Sequence, residues 1–202
     1  MYRIVFATGN AGKMKEIREI LADLPAEIQS MKEAGVEADI VENGTSFEEN
    51  ALIKARAVAE QLHDGRTVVL ADDSGLEIDY LKGEPGIYSA RYMGEDTSYR
   101  IKNANLIERL KGVPEEKRTA RFVCAIAAVF PDGGTVIRRG VIEGKIGYEE
   151  RGANGFGYDP IFYLPDMSRT TAELSPEEKN AVSHRGRALE AIKLDLAERM
   201  RR

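Results

Sequence analysis

The sequence predicts an α/β fold, a sheet of mixed strand direction with helices packed on its faces. Three observations carry this. A short apolar run at the amino end is followed at once by helical periodicity. A second alternation of helix and buried strand spans Ser46 to Tyr80, and two strand-like runs later flank a Pro-Asp-Gly-Gly turn.

Tyr2 to Ala7 suits a buried strand, and after Thr8-Gly9-Asn10 the residues Met14, Ile17, Leu21 and Leu24 recur at helical spacing until Pro25. Ser46 and Glu49 form an S-x-x-E capping box. Leu52, Ala55, Val58, Ala59 and Leu62 then supply the apolar face of a second helix, which His63-Asp64-Gly65 ends. Val68 to Ala71 reads as a buried strand running into Asp72-Asp73-Ser74-Gly75, which places the acidic pair at a strand end. Leu76, Ile78 and Tyr80 then alternate with acidic residues as in a half-exposed strand. A third helix fits Ser98 to Lys111 through Ile101, Leu106, Ile107 and Leu110, stopped by Gly112 and Pro114. Arg121 to Phe130 and Thr135 to Ile142 flank Pro131-Asp132-Gly133-Gly134, a composition suited to an antiparallel hairpin, and a further long strand is expected from about Gly144. Ser175-Pro176-Glu177-Glu178 combines a cap, Pro at the first helical position and Glu three residues after the cap. The last helix carries Leu189, Ile192, Leu196 and Met200 on one stripe, and its basic end, Arg199, Arg201 and Arg202, sits where the helix dipole favours cations.

With 202 residues, 43% of them hydrophobic, the chain can bury one full core and is expected to form a single domain over 1–202. The net charge of −5 argues against a protein that tracks nucleic-acid backbone, which needs a basic surface. The one cysteine, Cys124, lies in an apolar run and is expected to pack as a small hydrophobe. There is no signal-peptide pattern and no run of about 18 uncharged apolar residues, so the expectation is a cytoplasmic protein that meets no membrane.

Four stretches can carry chemistry. TGNAGK puts Thr8, Gly9 and Asn10 between a strand and a helix, with Ala11 and Gly12 leading to Lys13 in the first turn. Free backbone N–H groups at a helix start attract phosphate, but the glycine spacing and Met14 after Lys13 exclude a Walker loop. A capped helix start that binds nothing is the competing reading. LADDSG, with Glu42 upstream, offers carboxylates from two segments, which suits Mg²⁺; a plain acidic turn competes with it. GANGFGYDPIF crowds Gly152, Gly155 and Gly157 around Phe156, Tyr158 and Asp159, so that backbone can approach a ligand and a ring can stack on a nucleobase. A structural bend explains the same residues. SPEEKNAVSHRG brings Lys179, His184 and Arg185 onto a helix and the loop leaving it, and a lone histidine is more often structural than catalytic.

Together, TGNAGK, SFEENALIKA, ADDSGLEID, PGIYSARY, GFGYDPIF and SHRGRAL resemble the inosine triphosphate pyrophosphatase family, with the motifs in the family's order from about Val5 to about Leu189. The resemblance implies an elongated mixed sheet in two lobes around a central cleft, usually in a homodimer. It implies hydrolysis of non-standard purine triphosphates such as dITP, ITP and XTP to the monophosphate and pyrophosphate with Mg²⁺. Carried over by motif, Thr8, Gly9, Asn10, Ala11, Gly12 and Lys13 hold the triphosphate, and Glu42 and Asp73 serve the metal, with Asp72 beside them. Asp73 is also the proton acceptor. Ser74, Phe156, Gly157, Tyr158, Asp159, Lys179, His184 and Arg185 fall on substrate-contacting positions, and Lys54 on a position suspected of touching phosphate. Regions 113–119 and 131–151 are expected to stay clear of the substrate. A less selective nucleotide pyrophosphatase and a non-catalytic nucleotide sensor are the rival functions, and the retained Glu42, Asp72 and Asp73 speak against the sensor.

Overall fold

Apolar runs and capped amphipathic stretches become seven strands and five α-helices in a computed structural model that describes residues 2–201. Arg202, part of the expected basic helix end, lies outside the described residues. The strands are β1 (Tyr2–Phe6), β2 (Ala26–Ser30), β3 (Thr67–Ile78), β4 (Thr119–Val129), β5 (Thr135–Ile146), β6 (Phe162–Leu164) and β7 (Arg169–Thr170). They form one sheet in the order β2-β1-β3-β4-β5-β6-β7. β1 pairs in parallel with β2 and β3, whereas β6 pairs antiparallel with β5 and β7, so the sheet is mixed as expected. The helices are α1 (Ala11–Ile20), α2 (Phe47–Ala59), α3 (Tyr99–Arg109), α4 (Pro176–Val182) and α5 (His184–Met200).

Internal contacts group the chain into two compact units, and β3, β4 and β5 each contribute residues to both. The first unit holds the chain up to Asp73, Cys124–Gly140 and everything from His184 onward. Its core sets Ile4 and Phe6 of β1, Val68 and Leu70 of β3, and Cys124, Ile126 and Ala128 of β4 against Met14 and Ile17 of α1 and Leu189, Ile192 and Leu196 of α5. Cys124 is fully buried and uncrosslinked, the small hydrophobe expected, and burial pushes its thiol up to about 12. The second unit, Ser74–Val123 and Val141–Ser183, packs Leu76 and Ile78 with Leu106 and Leu110 of α3 and with Phe122, Ile142, Ile161 and Phe162.

Four expectations are corrected. The acidic pair is not at a strand end: β3 runs unbroken from Thr67 to Ile78, because both carboxylates are buried against cations and the backbone keeps its place between β1 and β4. Turn-favouring composition loses to tertiary pairing there. Beyond it, Tyr80 sits in a single 3-10 turn, Asp79–Leu81, not in a strand. The strand expected near Gly144 is the end of β5, and only the short β6 and β7 come after it. β2 has no counterpart among the expected strands; five residues of which three are polar and only Ala26 and Ile28 apolar give too weak a pattern to stand out. The capping signals fare better. Ser46 and Ser175 each accept from the backbone three residues on, although the Glu49 carboxylate returns to Thr45 instead of Ser46.

Gly140 of β5 fixes how closely α5 starts against the sheet: a β-carbon there would collide with the His184 carbonyl oxygen and lie 2.6 Å from the Ala188 nitrogen. Gly140→Ala is therefore expected to destabilise the protein by about 1–3 kcal/mol, as overpacking does. An unchanged urea midpoint for the variant would show that α5 does not depend on this approach.

Candidate active site

The TGNAGK turn is a self-capped helix start. Thr8 Oγ1 accepts the Asn10 N–H at 3.1 Å, and Asn10 Oδ1 accepts the Lys13 N–H at 3.0 Å, while Gly9, Asn10 and Ala11 stay exposed. No protein atom lies within 4 Å of where a Gly9 β-carbon would sit, so internal packing does not demand glycine at that position. One turn into α1, Lys13 Nζ reaches both oxygens of Asp72, at 3.1 and 3.0 Å.

Asp72 and Asp73 are neighbours on a strand, so their side chains leave opposite faces. Asp72 follows Leu70 onto the face covered by α1 and α5. It is 1% exposed, and Arg185 at the start of α5 approaches Oδ2 through Nε and Nη2 at 3.4 Å. Arg185, itself 2% exposed, also donates to Glu16 of α1. Burial alone would raise the Asp72 pKa, but Lys13, Arg185 and Lys54 outweigh it and hold the carboxyl well below its ordinary range. The same pairing keeps Arg185 charged despite its burial.

Asp73 faces α2. Lys54 Nζ stands 3.6 Å from Asp73 Oδ1 and 3.4 Å from Glu42 Oε1, drawing the carboxylates of two segments to one ammonium. Burial pushes the Asp73 carboxyl up to about 6; Lys54 opposes the rise and Glu42 adds to it. Desolvation disfavours the Lys54 charge, yet Asp72, Asp73 and Glu42 together raise its pKa. Asp73 Oδ2 is buried and makes no hydrogen bond among the described residues. A buried, half-satisfied carboxylate beside a second one is the donor set a hard divalent cation takes, since Mg²⁺ commonly uses one or two carboxylates and fills its remaining positions with water or phosphate. Among the described residues there is no cluster of three or more His, Cys, Asp and Glu that would make an all-protein cage. Glu42 and Asp73 therefore fit Mg²⁺ and not a structural metal site.

The remaining predicted residues divide between the units. His184, 7% exposed, opens α5 in the first unit. Ser74, Phe156, Gly157, Tyr158, Asp159 and Lys179 belong to the second. There Lys179 Nζ donates to Asp159 Oδ2 at 2.7 Å and lies 4.7 Å from the centre of the Phe156 ring. Asp159 Oδ2 also accepts the Phe156 N–H at 3.0 Å, and Oδ1 accepts from Thr171 at 2.8 Å. The Tyr158 hydroxyl donates to the Ser89 carbonyl at 2.6 Å, and its ring meets Tyr99 edge-on. A cavity of about 250 Å³ in the same unit, lined by Lys145, Tyr148, Arg151 and Tyr163, contains none of the predicted residues. Sequence reasoning misses Glu16 and Asn50. Glu16 is one helical turn beyond Lys13, a signal open to use; Asn50 looks like one more polar residue in a capped first turn.

Comparison with known proteins adds to this geometry. The Ham1 family matches residues 4–194. The dITP/XTP pyrophosphatase of Exiguobacterium sibiricum is 46% identical over 194 residues, 96% of this chain and 96% of its own. That of Bacillus subtilis is 46% identical over 192 residues, covering 95% and 96%. Among solved structures, a HAM1 protein from Coxiella burnetii superposes with a TM-score of 0.87 at 44% identity, covering 98% of this chain and 100% of that one. The Staphylococcus aureus Ham1 protein gives 0.86 at 41%, covering 98% and 99%.

The raised Asp73 pKa has a stability consequence in EDTA. The folded chain holds that proton up to about pH 6, the unfolded chain only to its ordinary 3.8, so between those values the folded state binds more protons and stability falls as pH rises. Asp73→Asn lacks this slope. Its stability relative to wild type should improve by on the order of 3 kcal/mol between pH 3.5 and pH 7. Urea titrations at several pH values measure this, and a pH-independent difference would mean that Asp73 titrates as an ordinary surface carboxylate.

Proposed function

The chain belongs to the Ham1 family, and we propose that it is a dITP/XTP pyrophosphatase whose chemistry is organised by β3. The observation that carries this reading is the opposite fate of two adjacent carboxylates. Asp72 is locked by Lys13 and Arg185; Asp73 is buried with an open oxygen beside Glu42 and Lys54. A protein that only bound nucleotide would have no use for the second.

In this reading the exposed turn Thr8–Lys13 receives the triphosphate, with backbone N–H groups of the α1 terminus toward phosphate oxygens and Gly9 leaving room for their approach. Lys13, held in place by Asp72, stabilises the charge that gathers on the departing pyrophosphate. Glu42 and Asp73 hold Mg²⁺, which when bound neutralises phosphate charge and makes nearby water more acidic. Asp73 takes the proton of the water whose oxygen attacks the α-phosphorus as the bond to the bridging oxygen breaks. In the metal-free chain burial holds its carboxyl up at about 6, so it is ionised at neutral pH. Lys54 restrains both carboxylates before metal arrives.

Purine selection rests on the 6-position, where hypoxanthine and xanthine present an accepting oxygen and adenine a donating amino group. Donors there reject adenine by about 10⁴-fold or more, because the mismatch leaves buried groups unpaired. Of the residues carried over from the motif, His184 has such a donor, whereas the Arg185 guanidinium is committed to Asp72 and Glu16; in the second unit the Phe156 ring offers a stacking face that does not choose among bases. We read the chain as one catalytic domain, acting as a homodimer on the cytoplasmic nucleotide pool. No helix among the described residues is long and apolar enough to cross a membrane.

A triphosphate panel assayed for pyrophosphate release, with and without Mg²⁺, tests the reading: dITP and XTP should be hydrolysed and ATP left largely intact, all activity requiring the metal. Equal rates on ATP and the pyrimidine triphosphates would replace it with a general pyrophosphatase. Asp73→Asn should lower turnover by about 10²–10⁴-fold, the usual contribution of a positioned base, while substrate binding remains measurable. Near-wild-type hydrolysis by that variant would remove Asp73 from the role.

A further inference from the structure

We propose that Asn50 is a positioning residue that ties the segment carrying Glu42 to α2, the helix whose Lys54 reaches Asp73, so that the two metal ligands are presented together. Asn50 is fully buried on α2, one turn before Lys54, so both side chains leave the same helix face. Its Oδ1 accepts the Gly44 N–H at 2.8 Å, two residues beyond Glu42 in a stretch with no regular structure of its own. The segment lies hard against the helix at that point: a β-carbon on Gly44 would sit 2.7 Å from Asn50 Oδ1 and 2.8 Å from the Glu49 β-carbon. The other end of the amide is equally telling. Asn50 Nδ2 and Asp73 Oδ2 are both buried with no hydrogen bond among the described residues, so the amide keeps an open donor on the helix face that carries Lys54. α2 thereby reaches Asp73 through the Lys54 ammonium, and the Glu42 segment through both Lys54 and the Asn50 amide oxygen.

This inference rests on the reading of Glu42 and Asp73 as the metal site, and the experiment separates the two. Mg²⁺ binding to the nucleotide-free protein is measured by calorimetry for wild type, Asn50→Ala, Gly44→Ala and the double variant, with urea unfolding as the check on folding. Loss of a residue that orients a metal ligand should weaken Mg²⁺ about 10–100-fold. Asn50→Ala and Gly44→Ala disrupt one tie from its two ends, so the double variant should bind no more weakly than Asn50→Ala alone. At saturating Mg²⁺ the KM for dITP should stay within about threefold of wild type, as expected of a group that touches ligands and not substrate. Should Asn50→Ala unfold, Gly44→Ala, which removes no polar group, carries the measurement. Absence of Mg²⁺ binding by wild type would overturn the metal-site reading itself. Wild-type binding matched within about threefold by folded variants, or weakening that adds in the double variant, would overturn the role of Asn50 alone.

Discussion

A carboxylate buried to 1% exposure must be matched by cations, and the burial of Asp72 sets most of what surrounds it. It is matched by Lys13 from α1 and by Arg185 from α5, so one strand residue positions both the helix that follows the TGNAGK turn and the helix that opens at His184. Arg185 in turn pairs with Glu16, one turn from Lys13 on the same helix, which closes a group of four charges with no net charge. Such a group adds little net stability over an apolar core of the same shape, whereas removing one member strands another and costs about 3–5 kcal/mol. Its value is geometric: it fixes where Lys13 stands, which in the proposed reading is before any phosphate arrives.

Strand alternation does the rest of the sorting. With successive residues of β3 leaving opposite faces, the chain places one acid in a fully compensated setting and its neighbour in an undercompensated one, since Asp73, 3.6 Å from the Lys54 ammonium it shares with Glu42, is held more loosely than Asp72 by its bifurcated contact. Like groups driven apart by their surroundings are the usual route to two distinct roles at one pH. Had the pair been in a turn, both side chains would have faced water, and neither would have been shifted. In the proposed reading the continuity of β3 thus serves the chemistry as well as the fold.

Much of this is legible in the residues, and the rest is hidden for physical reasons. The alternation of elements, the caps at Ser46 and Ser175 and the stripe on α5 are local signals, and local signals survive into the fold. Asp72-Asp73-Ser74-Gly75 reads as the end of a strand because its composition favours turns, while the cations that hold it in a strand come from positions 13, 54 and 185. Glu16 and Asn50 are hidden for the same reason: a polar residue on a capped helix looks solvated until its partner, distant in sequence, is known. The motifs at Thr8–Lys13, Glu42 and Asp73 are recognisable as a set and their expected roles come with the family resemblance; what the residues do not show is why two adjacent acids differ, since that depends on burial and on which face of β3 each side chain leaves.

The aromatic cluster of the second unit obeys a related logic with different groups. Tyr158 and Asp159 are 5% and 3% exposed, and their polar atoms are committed internally, the hydroxyl to Ser89 and the carboxylate to Lys179, Thr171 and the Phe156 N–H. Gly155 has φ of +71° and no room for a side chain, because a β-carbon would strike the same Asp159 carboxylate. The residues that look most reactive in this motif are therefore its frame, and the part they frame is the Phe156 ring with the Lys179 ammonium 4.7 Å from its centre. In the proposed reading, a ring held in this way offers a base a flat surface without needing to be ordered on binding, which removes an entropic cost that a mobile aromatic would carry. Stacking supplies affinity for any purine; discrimination has to come from donors placed at the edge of the ring system, and a rigid frame is what makes a misplaced amino group costly instead of merely inconvenient.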